Sequence, residues 1–119
     1  MSKKLSREEI SVLQNQKLKT FTDIYGEEIY QDIIKILWAH DPIRLHSSPR
    51  KHEYEPEART ITPRLLEANS EQELHKIVYE EFVLWFGLSA KLKDDYIKIA
   101  HDIWQTWQYR IRLVNISED

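Results

Sequence analysis

Only two glycines occur in 119 residues, Gly26 and Gly87. Hairpin turns draw heavily on residues that tolerate positive φ, so a chain this poor in glycine has few ways to fold strands back on one another. Helices make no such demand, and the apolar residues recur at helical spacing. Ser6-Arg7-Glu8-Glu9 has the form of a capping box, in which Ser6 and Glu9 satisfy each other's free backbone donors. Ile10, Leu13, Lys17, Phe21 and Ile24 then fall on one stripe, with the lysine stem laid along it. After Gly26, a second buried face comprises Ile29, Ile33, Ile34, Leu37 and Trp38, and Asp41-Pro42 ends it because a proline disfavours helical backbone in the residue before it.

Ser70-Glu71-Gln72-Glu73 is a second capping box. The helix it opens turns Leu74, Ile77, Val78, Phe82 and Trp85 inward and stops at Gly87. Its last turns, FVLWFG, are apolar on every side, so that end must be enclosed by the core or by a partner. A final helix aligns Tyr96, Ala100, Ile103, Trp107, Ile111 and Val114. Trp107, Tyr109, Ile111 and Leu113 also alternate as a strand would, but a lone strand has no partner in a helical chain, so helix is predicted. The expected fold is all-α, one domain over 1–119. Its five helices are expected at about 6–25, 27–40, 56–68 (kinked near Pro63), 71–86 and 91–113.

The chain is long enough for one core and not for two. Seventeen basic and twenty acidic residues give a net charge of −3, which argues against nucleic acid as a partner. The absence of cysteine excludes disulfides, thiolate metal sites and cysteine nucleophiles. MSKKLSREEI has the charge of a signal peptide without the apolar run that follows one. The longest apolar run, Phe82 to Leu88, is far short of a membrane span. A cytoplasmic protein without membrane contact is expected.

The segment from His40 to Leu66 gathers all four prolines, three of the five histidines and the acidic run Glu53-Tyr54-Glu55-Pro56-Glu57. One account is structural: a loop, then a short helix with Pro56 in its first turn and the three glutamates at its positive end. Pro63 would bend that helix near Ile61 or split it. The alternative is a site. His40-Asp41, His52-Glu53 and His101-Asp102 pair imidazole with carboxylate, as zinc, iron or manganese would need. None has helical ligand spacing, because neighbours in sequence point apart. Glu71 and His75 do have it, without a second such pair, so neither a metal nor another cofactor is expected. Ser47 and Ser48 lie near His46 and His52, but no nucleophile elbow or phosphate-binding loop accompanies them. Trp38, Trp85 and Trp107 sit on apolar stripes, whereas Trp104 lies off its helix's main face and suits an interface anchor.

The stretches LWAHDPIRL, HEYEPEARTITPRLLEANSEQELHKIVYEEFVLWFG and YIKIAHDIWQTW resemble a group of small, uncharacterised bacterial helical proteins. Their shared pattern is Asp-Pro-Ile/Phe after an amphipathic helix, then Glu/Asp-Tyr-x-x-Glu-Ala, then a helix ending in Phe-Gly. The likeness spans roughly residues 30 to 107 and marks Asp41, Pro42, Ile43, Glu53, Tyr54, Glu57 and Ala58. It departs at His40, where the pattern often has tryptophan. The resemblance implies an all-α fold, no established catalysis, and a role such as immunity or partner binding.

The leading expectation is a non-enzymatic interaction module, monomer or homodimer. It would bind a basic protein partner through Glu53, Tyr54, Glu55, Glu57 and Trp104, with Arg44, Arg50 and Arg59 balancing the acids or joining the interface. An immunity-type inhibitor is one concrete form. The alternative is a metal-dependent hydrolase or small-ligand protein with a pocket around Asp41, Glu53, Tyr54 and His101.

Overall fold

Five α-helices carry the chain: α1 (Arg7–Tyr25), α2 (Glu28–His40), α3 (Glu55–Arg64), α4 (Glu71–Phe86) and α5 (Ile97–Ser117). Short 3₁₀ turns follow α3 at Leu65–Glu67 and lead into α5 at Lys93–Tyr96. The computed structural model describes residues 5–43, 54–87, 90 and 92–117, and among these no strand occurs. The fold is an all-α bundle.

The core lies where α5 meets α2 and α4, with α3 packed against both of the latter. Ile29, Ile33 and Leu37 of α2, Ala58 and Ile61 of α3, Leu74, Val78 and Phe82 of α4, and Ile99 and Ile103 of α5 are essentially inaccessible to solvent. Tyr96, just before α5, rests on Phe82 with ring centroids 4.9 Å apart. The alternating pattern at the chain's end does not make a strand, because α5 continues as helix to Ser117. At α2 to α5, Arg110 donates from Nε to Asp32 Oδ2 at 3.0 Å.

Four expectations are corrected. Helix α1 is rotated by about one residue from the predicted stripe. Its inward seam is Ser11, Gln14, Leu18, Phe21 and Tyr25, whereas Ile10, Leu13, Lys17 and Ile24 are exposed. What anchors it is an aromatic trio at its C-terminal end: Phe21 and Tyr25 stand 5.5 and 5.2 Å from Trp107. Of the two forms expected for the third helix, a bend near Ile61 or two short pieces, the structure has two pieces, with the break beyond Pro63 rather than at Ile61. Helix α3 passes Pro63, which removes the donor to the Arg59 carbonyl, reaches Arg64 and is followed by the 3₁₀ turn.

The capping box at Ser6 is complete, with both reciprocal bonds formed. At Ser70 only half forms as expected: Ser70 Oγ accepts from Glu73 N–H at 3.1 Å, but the Glu73 carboxylate reaches back to Asn69 N–H at 2.7 Å. Trp85 is 40% exposed rather than buried, and its indole N–H donates to Thr60 Oγ1 at 3.2 Å. Trp38 and Trp104 are half-buried against the core, and Trp107 is buried.

Candidate interaction surface

The residues singled out in the connector form a tie in the fold. Asp41 ends α2 in the left-handed region, φ 47°, a conformation that aspartate tolerates better than most residues. There its Oδ1 accepts the Tyr54 hydroxyl at 2.6 Å, and the same hydroxyl oxygen accepts the Ile43 N–H at 3.3 Å. The Tyr54 ring is 1% exposed, with Trp38 edge-on at 6.3 Å and Phe82 also at 6.3 Å. Pro42 and Ala58 are buried beside it, Ile43 half-buried.

This corrects the expected acidic contact surface. Tyr54 and Glu57, 1% and 2% exposed, face inward, so their side chains are not presented to a partner. Glu55, the first residue of α3, is half-exposed. Glu53 lies outside the described residues, as do Arg44, His46, Ser47, Ser48, Arg50 and His52. Of the alternative pocket's described members, Asp41 and Tyr54 bond to each other, while His101 Nδ1 pairs with Glu71 Oε1 at 3.0 Å. Trp104 packs half-buried on the core.

Each described histidine joins two elements. His40 Nε2 at the end of α2 pairs with Asp102 Oδ2 on α5 at 2.6 Å, and His101 on α5 meets Glu71 on α4. His75 Nε2 on α4 donates to the Lys93 carbonyl at 2.6 Å. Among the described residues no three histidine or acidic side chains converge as a metal-binding set.

A different region is open and apolar. A cavity of about 600 Å³ runs between α1 and α3 and reaches the 3₁₀ turn and the end of α4. Leu13, Ile24, Leu66 and Leu84 line it, and they are 43%, 61%, 56% and 77% exposed. Three cations border it, and they differ. Arg64 is held by three carboxylates: its guanidinium donates to Glu67 at 3.1 and 3.2 Å, to Glu80 at 3.1 Å and to Glu81 at 3.0 Å. Burial acts to lower its pKa, but the hydrogen bonds to Glu67, Glu81 and Glu80 outweigh that and hold it above its ordinary value. It ties α3 to α4 and compensates the buried Glu81.

Lys17 and Arg59 have no carboxylate within 4 Å among the described residues. Arg59 instead lies by Tyr30, whose phenol is pushed up by burial and by the charge of Glu55, with Arg59 opposing both.

Sequence reasoning did not single out Leu66 or Arg64, and it drew no groove. One signal was visible, the all-round apolar end of α4: Phe82 is buried, but Val83, Leu84 and Trp85 are 39%, 77% and 40% exposed. No helix among the described residues is long and apolar enough to cross a membrane. No family model, no curated protein and no solved structure matches the chain.

Proposed function

We propose that the chain is a non-enzymatic interaction module that receives an apolar segment of a protein partner in the groove between α1 and α3. The observation that supports this most is the end of α4. An apolar FVLWF turn needs cover from a core or from a partner, and here the core covers Phe82 while Leu84 lies open in the groove beside Leu66. Contiguous apolar surface on a small domain marks an interaction site more often than isolated exposed side chains do. The acidic run takes a lesser part, through Glu55 alone among its described members.

The test compares three forms of the purified chain as bait for proteins of its native host. These are the unaltered protein, Leu66→Asp with Leu84→Asp, and Glu55→Lys. The expected outcome is a protein retained by the unaltered chain and by Glu55→Lys and lost with the groove double variant, all three having similar thermal melts. Retention by the groove variant at unaltered strength defeats the proposal.

A further inference from the structure

Helix α1 is more regular than its burial accounts for. From Arg7 to Thr20 no residue is fully buried, and the inward seam there offers only Ser11, Gln14 and Leu18. Isolated helices of this length are marginal in water, and most helical stability in proteins comes from packing an apolar face. The more apolar stripe of α1 lies to one side of that seam, with Ile10 and Leu13 each 43% exposed. That face therefore lacks its cover.

The charges on it say what the cover is. Glu9, Leu13 and Lys17 are spaced four apart, so they share one exposed stripe, acid first, leucine in the middle, base last. A second α1 laid antiparallel about a two-fold axis at Leu13 brings each Glu9 opposite the other copy's Lys17 and places leucine on leucine. A parallel copy sets Glu9 on Glu9 and Lys17 on Lys17. A stripe that is complementary to its own reverse is what an isologous contact requires. Lys17, with no carboxylate within 4 Å among the described residues, gains one in this arrangement. Leu13 and Lys17 also line the groove, so the second copy covers its α1 wall.

Resting on the reading of the groove as an interaction site, we infer that its occupant is a second copy of this chain, docked antiparallel along α1. The test is sedimentation equilibrium of the full chain over a concentration series at low and moderate salt. The unaltered protein is expected to dimerise, and Leu13→Glu to weaken the dimer by roughly tenfold or more. Lys17→Glu alone and Glu9→Lys alone are each expected to weaken self-association by roughly tenfold, since each homodimer then opposes like charges. Mixed one to one they restore a dimer, because both cross-pairs become attractive. Circular dichroism melts of the two variants check that α1 remains folded.

An unaltered chain that stays monomeric to about 1 mM overturns the inference. So does a dimer indifferent to Leu13→Glu, or single-charge variants whose mixture does not associate. A monomer that still loses a host protein on Leu66→Asp with Leu84→Asp removes the second copy and leaves the interaction module standing. A monomer with no groove-dependent protein removes both.

Discussion

Helices α1 and α2 both carry apolar stripes in the sequence, the one in α1 weaker and interrupted by Lys17, and the fold treats them oppositely. In thirteen residues α2 buries Ile29, Ile33, Ile34 and Leu37; in nineteen, α1 buries Phe21. The difference lies in what surrounds them. Helix α2 is packed along both α3 and α5, whereas α1 lies mainly on α3 and meets α5 through the aromatic trio at its end. An amphipathic stripe thus identifies a helix and a face, but whether this chain's own core covers that face depends on neighbours distant in sequence.

The contrast predicts a graded series in denaturant melts. Leu37→Ala, at a site with no solvent exposure, should destabilise the fold by about 2–5 kcal/mol. A loss below 1 kcal/mol there would erase the distinction between the two helices. Tyr54→Phe keeps the ring among Trp38 and Phe82 but removes the hydroxyl that Asp41 and Ile43 share, for a loss of about 1.5 kcal/mol. The two serine caps sharpen the comparison further. Ser70→Ala removes the cap of a core helix and should lower global stability by about 1 kcal/mol.

Ser6→Ala removes the same bond from α1, and its effect should be confined to faster amide exchange in that helix's first turns. A global loss equal to that of Ser70→Ala would show that α1 folds as part of the core. Smallest of all, Leu13→Ala at concentrations where the chain is monomeric should change stability by no more than about 0.5 kcal/mol.

Much of the fold was legible. The buried faces of α2, α4 and α5 follow the predicted stripes, except that Trp38, Ile111 and Val114 are half-buried and Trp85 is exposed; these helices are each flanked on both sides by other helices, and apolar content follows burial there. Helix α1 was legible as a helix with its cap, but not in rotation: Phe21 belongs to both candidate seams, and the seam that faces inward holds Ser11 and Gln14. The end of α4 is expected to be covered by the core or by a partner; the core covers Phe82 and leaves Val83, Leu84 and Trp85 exposed, and nothing in the sequence shows where Leu84 points.

Tyr54 was recognised as part of a motif yet assigned to the surface, since an aromatic residue between glutamates looks solvated. Its partner, Asp41, is 13 residues away, and no local pattern reveals that bond. Arg64 was equally hidden, because two of its three carboxylates, Glu80 and Glu81, come from the next helix.

The bond between Asp41 and Tyr54 also bears on how the chain may be rewritten. It holds the end of α2 to the start of α3, so the two ends of the connecting segment meet through side-chain geometry rather than through the segment's length. Lengthening a connection whose ends are already held together is thermodynamically mild, about 0.6 kcal/mol for each doubling. An insertion between Ile43 and Tyr54 is therefore expected to cost little, with Asp41 and Tyr54 kept as the fixed points on either side.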